Sequence, residues 1–169
     1  MVIASNIRLK GAVWNDTIAA LDEFFTRPVY DTFMLALSIG IMYDKRIEKF
    51  DEDDIVKELP KTVLVSYGNV KLDLCFQTAI LCTETEDLSE EERLKLAFSE
   101  SKDLPEEWQD VKKISFLIEF ANFGVTKLKE KLGINSVETM DNLKSFLVAT
   151  ASGRNIEING IPDEMLFED

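Results

Sequence analysis

Residues 119–133 read EFANFGVTKLKEKLG, and the fold turns on how Asn122 and Gly124 are tolerated there. Trp108, Val111, Ile118, Ala121, Val125, Leu128 and Leu132 fall on one helical stripe, which Phe116, Leu117, Phe120 and Phe123 widen. The pattern predicts one long helix over residues 106–132, stopped by Gly133. Asn and Gly are poor residues for its interior, Gly costing about 1 kcal/mol relative to Ala. Two readings stand. Gly124 admits a neighbouring backbone while Asn122 satisfies a buried polar group; or Phe120, Asn122 and Gly124 belong to a recognition surface or a bend.

Working outward, FMLALSIGIMY at residues 33–43 is apolar on almost all sides and marks a central helix, opened by Pro28 in a first-turn position. An earlier helix is expected from Asn15 or Asp16, with Ile18, Leu21, Phe24 and Phe25 at helical spacing. The acids at 51–54 precede IVKEL, where they would complement the start of a short helix; a hard-metal loop is the weaker reading. Residues 62–72 are ambiguous. Val63, Val65 and Tyr67 alternate and Gly68-Asn69 offers a turn, so a small hairpin competes with a loop that feeds a helix over 71–83. Ser89 and Glu92 have the form of a capping box, and residues 136–152 read as the last helix. The fold class is therefore all-α, a single compact domain of six or seven helices over residues 1–155. A small hairpin near 62–72 or 156–161 completes it, followed by an acidic tail at 156–169.

Composition limits the chemistry. At 169 residues, 46% apolar and 30% charged, the chain can bury a core of its own. It contains no histidine, which removes the usual general base, zinc ligand and catalytic triads. No phosphate loop, Cys-x-x-Cys or nucleophile elbow is present, so neither catalytic residues, cofactor nor metal are assigned. An enzyme here would need carboxylates and a hard metal ion. Cys75 and Cys82 lie seven residues apart, about 10 Å along a helix, too far for a bridge within it, and are read as core thiols. The N-terminal MVIASNIRLK lacks the pattern of a signal peptide, which leaves the cytoplasm as the expected location.

The net charge is −13, and residues 84–110 concentrate eleven acids against Arg93, Lys95 and Lys102. Direct binding to nucleic acid is not expected, because phosphate contacts need clustered Lys and Arg. The acidic strip reads either as a solvated face or as a phosphate mimic. The tail, with Met165, Leu166 and Phe167 among its acids, reads either as loose or as a peptide that docks on a partner.

The stretch IEFANFGVTKLKEKL also resembles the "YANGG…L" segment of small accessory proteins found with bacterial DNA phosphorothioation (Dnd) and related phage-defence systems. FTRPVYDTFMLALSIGIMYDKR is similar to that family's aromatic, glycine-containing first helix, and LDLCFQTAILCTETEDL to its central helix and acidic connection. Together these cover residues 24–133, with Phe120 and Phe123 where the pattern has Tyr and a second Gly. The resemblance implies a non-catalytic accessory subunit that binds a larger ATPase or nuclease. It carries over Tyr30, Asp31, Gly40, Phe120, Ala121, Asn122 and Gly124. Leaving out Ala121 and adding Phe116, Phe123, Met165, Leu166 and Phe167 gives the expected partner-binding set. No membrane contact is expected, and a homo-oligomer stays open. The alternative function is an acidic inhibitor or DNA mimic that blocks a nucleic-acid enzyme.

Overall fold

Alternation at the N-terminus builds the first element. Ile7 and Leu9 are buried while Arg8 and Lys10 are exposed, and Ile7–Lys10 forms strand β1. The computed structural model describes residues 2–50, 55–99, 103–105 and 108–151. The chain divides into two compact units, Met1–Lys129 and Glu130–Asp169. In the first unit, β1 pairs antiparallel with β2, Val56–Leu59, with Ile7 opposite Leu59 and Leu9 opposite Lys57. IVKEL, expected as a short helix, is therefore strand. Burial of Leu59 across from Ile7 outweighs a local helical preference that only a few residues express. The Gly11 amide extends the ladder to the Ile55 carbonyl at 2.8 Å. Gly11 then turns the chain at φ 105°, with the Phe50 ring where a side chain would point.

Helix α1, Ala12–Leu21, starts earlier than Asn15 and ends in a short 3-10 turn, Asp22–Phe24. Helix α2, Pro28–Tyr43, has its proline at the start as expected, and Asp44 ends it in the left-handed conformation. The region 62–72 carries no hairpin. Helix α3, Lys61–Val63, widens into a π-helical turn at Leu64–Gly68 and continues as α4, Asn69–Cys82. Helices α5, Glu90–Phe98, and α6, Asp110–Lys129, complete the unit. The expected two-strand pair thus exists, but between segments some fifty residues apart in sequence rather than within 62–72. The site at 156–161 and the acidic loop 51–54 lie outside the described residues.

The core forms where α2 crosses α6. Gly40 lies against the carbonyl of Phe120, and Gly124 against the carbonyl of Ala36. A Cβ at either glycine would fall inside the facing backbone. This reciprocal close approach answers the question raised by residue 124: the glycine is there because a neighbouring main chain occupies the space of a side chain. Aromatic rings fill the rest of the α6 face. Phe116 meets Phe120 edge-on at 5.1 Å, and Trp108 and Phe76 stand 5.7 and 6.0 Å from Phe116.

The capping box before α5 is formed. Ser89 donates its amide and hydroxyl to the Glu92 carboxylate at 2.8 and 2.6 Å, and the Glu92 amide donates back to Ser89 Oγ at 3.3 Å. These bonds lower the Glu92 pKa below its ordinary value. A group shifted this way adds stability above the unfolded carboxylate range and loses it as pH falls through the folded value. The protection of the Glu92 amide, taken relative to the intrinsic exchange rate at each pH, is therefore expected to fall with acid in the wild type and to be independent of pH in Glu92→Gln. Ser89→Ala should lose the protection throughout, at about 1 kcal/mol.

In the second unit, helix α7, Ser136–Ala151, begins the same way. The Glu138 amide donates to Asn135 Oδ1 at 3.0 Å, and Glu138 accepts from the Ile134 amide at 3.0 Å. Lys131 lies 5.4 Å from the centre of the Phe146 ring.

Candidate interaction surface

Most residues expected to contact a partner are committed to the interior. Gly40 and Gly124 make the helix crossing, and Phe116 and Phe120 are fully buried beside it. Asn122 is a buried junction. Its Oδ1 accepts from the Trp14 indole at 2.9 Å, and its Nδ2 donates to the Ile47 carbonyl at 3.0 Å. A recognition surface on this face of α6 is thus replaced by core packing, because α2 and the chain at 47–48 already cover it. Phe123 is half-buried, 5.8 Å from the Tyr43 ring. Met165, Leu166 and Phe167 lie outside the described residues.

Tyr30 and Asp31 are brought to a different place. Tyr30 is buried, and its hydroxyl donates to the Tyr67 carbonyl in the π-helical turn at 2.9 Å. Burial raises its pKa above the ordinary phenol value, so the hydroxyl stays a donor. Asp31 accepts from the Arg27 amide at 2.9 Å, and the Arg27 guanidinium lies over the Tyr67 ring at 4.1 Å. Gly68 lets the Tyr30 ring approach. With the Tyr67 carbonyl drawn to Tyr30, the turn widens and leaves Val65, Ser66 and Tyr67 all exposed. Sequence reasoning missed Tyr67 because its alternation with Val63 and Val65 imitates a strand.

The acidic connection is partly neutralised from within. Arg46 bridges Glu86 at 2.8 Å and Glu119 at 3.1 Å, and also donates to the Thr85 carbonyl. Arg93 donates to the carbonyls of Ile80, Thr83, Glu86 and Leu88, which closes the C-terminal end of α4 over the turn. The two cysteines differ from the core expectation. Cys82 is exposed and Cys75 half-buried, with burial raising the Cys75 thiol above its ordinary value. A thiol-disulfide reagent at pH 8 is expected to titrate one thiol quickly and one slowly. The fast phase should vanish in Cys82→Ser.

What α6 offers outward is its opposite face. Val111, Ile114, Ser115 and Ile118 form one wall of an open groove of about 520 Å³, and Val2, residues 4–8 and Glu58 form the other. Val111 is 74% exposed. Of the residues on that second wall, Ile7, Arg8 and Glu58 belong to the strand pair. The Gly11–Ile55 bond sets the alternation of the ladder: Ile7 and Leu9 bond to β2, and the amide and carbonyl of Arg8 point away from it. The groove therefore sets the α6 wall across from the outward edge of β1 at Arg8, and Asn6 and Arg8, both partnered with Glu58, help to line it. Among the described residues, no three of His, Cys, Asp and Glu gather as a metal site, and no helix is long and apolar enough to cross a membrane.

These features define an acidic, helix-rich protein with a two-stranded sheet and an open groove of mixed polarity beside α6. Comparison with protein-family models, curated proteins and solved structures finds no match to the chain.

Proposed function

We propose that this chain is a non-catalytic accessory subunit that binds a larger protein component, an ATPase or nuclease of a bacterial anti-phage defence system. The groove between α6 and residues 2–8 carries the binding part of this reading. Val111, Ile114 and Ile118 make its helix side largely apolar, and β1 borders the other side at Ile7 and Arg8. An extended segment of the larger subunit suits such a cleft: its main chain bonds to the strand and alternate side chains fill the apolar wall. The defence assignment rests on the resemblance of residues 24–133 to accessory proteins of the Dnd type.

The test compares what the tagged protein and its Ile114→Glu variant capture from native cells, eluted along a salt gradient. An ATPase or nuclease that survives high salt on the wild type and is lost from the variant supports the proposal. A basic nucleic-acid enzyme released at moderate salt from both would favour the acidic inhibitor instead. The ion pairs and caps that occupy Glu86 and Glu92 support a solvated connection at 84–92 over a phosphate mimic.

A further inference from the structure

The wall of the groove that faces α6 is unevenly held. β1 is fixed by its ladder to β2 and by the burial of Ile7 and Leu9. The chain bends at Ser5, and residues before Ile7 lie outside the ladder. Among the described residues, no main-chain hydrogen bond joins residues 2–6 to another main chain. Side chains hold the segment instead. Asn6 Nδ2 donates to the Glu58 carboxylate at 3.1 Å, and Asn6 Oδ1 accepts from the Lys61 amide at 2.9 Å. Lys61 Nζ donates to the Ala4 carbonyl at 3.3 Å. All three bonds are exposed, so water competes for each group and the net contribution is small. The apolar anchor is Ile3, only 4% exposed, while Val2 and Ala4 on either side of it line the groove.

Segments held by exposed bonds and few buried side chains open locally, without unfolding of the whole. We propose that residues 2–5 form a strap, latched by Asn6 and Lys61, which opens while β1 stays paired, so that the groove beside α6 has one movable wall. With the strap shut, Val2 and Ala4 bound the groove. With it open, the groove widens at that end and the site of Ile3 joins it. The strap refines the groove on which the accessory-subunit reading rests. Its test uses the free chain, so it can fail while that reading stands, and the reverse.

Labelling with a disulfide reagent at pH 8 reads the opening, in a Cys75→Ser, Cys82→Ser background with one cysteine placed in the strap. Val2→Cys gives the unprotected rate, since Val2 is 71% exposed. Ile3→Cys is expected to react at least about tenfold more slowly, because its thiol is reached only through the open strap. In the same protein the Leu9 amide, bonded into the ladder, is the reference for opening of β1. Each taken relative to its own unprotected rate, the Leu9 amide should be protected at least about 100-fold more than the thiol. Asn6→Ala removes two of the latch bonds and should speed the Ile3→Cys reaction about tenfold, with Leu9 protection unchanged. Lys61→Ala, which removes the third, should speed it several-fold. Equal protection of the thiol and the Leu9 amide would mean that the strap opens only with the strand pair, and overturns the proposal. An Asn6→Ala change that lowers both protections alike overturns it as well.

Discussion

Replacing Gly124 with alanine is expected to destabilise the first unit by at least about 3 kcal/mol, the upper end of the range for overpacking. The reason is what the new methyl would meet. A side chain that intrudes on a flexible neighbour can be accommodated, but here the obstacle is the carbonyl of Ala36, fixed within α2. The helices must separate along their length, and the aromatic contacts around Phe116 and Phe120 loosen with them. Gly40→Ala should do the same, since its Cβ meets the Phe120 carbonyl from the other side. Once one substitution has forced α2 and α6 apart, the second meets less resistance, so the pair is expected to cost less than the sum. Gly68→Ala is the control. Its neighbour is the Tyr30 ring at 3.2 Å, a side chain that can give way, and its cost should be smaller. Thermal unfolding followed by circular dichroism reads all four proteins, with a fall for Gly124→Ala of roughly 6–12 °C. A Gly124→Ala protein as stable as the wild type would mean that the two backbones do not touch.

The second large effect is expected at Asn122. Its side chain is fully engaged within the core, accepting from Trp14 on α1 and donating to the carbonyl of Ile47. The same stretch of chain donates the Ile47 amide to the Glu119 carbonyl at 3.0 Å. Asn122→Ala strands the indole N–H and a carbonyl lone pair at once, each with a desolvation cost of about 1–3 kcal/mol. A loss of about 3–5 kcal/mol is expected in urea denaturation. Asn122→Leu should fare no better despite its volume, because it leaves the same groups unpaired. Trp14→Phe removes the donor together with its need for a partner and should cost less than Asn122→Ala. Combined, the two should be less than additive. An Asn122→Ala protein within about 0.5 kcal/mol of the wild type would show that the junction is solvated and carries little.

The helices were legible in the sequence because each writes its own pattern. α2, α4, α6 and α7 bury one side at a period of 3.6, and Pro28 at the start of α2 and Ser89 before α5 punctuate the chain with local chemistry that needs no distant partner. The long helix, expected over 106–132, instead runs over Asp110–Lys129 and stops short of Gly133. The close crossing was legible in part: a glycine inside the most apolar helix has few reasons to be there. What could not be read locally is everything that depends on which segment meets which. IVKEL becomes a strand only because Ile7–Lys10 lies beside it, and residues 64–68 widen into a π-helical turn only because Tyr30 takes the Tyr67 carbonyl. Burial likewise reassigned Phe116, Phe120, Asn122 and Gly124 from a surface to the interior, since periodicity identifies an apolar face without naming what covers it. The sequence by itself thus determined the helical class, the acidic character and the caps, all of them set by short-range energetics. Only the tertiary structure decided the strand pair and the groove beside α6, because each exists through contacts between residues far apart in the chain.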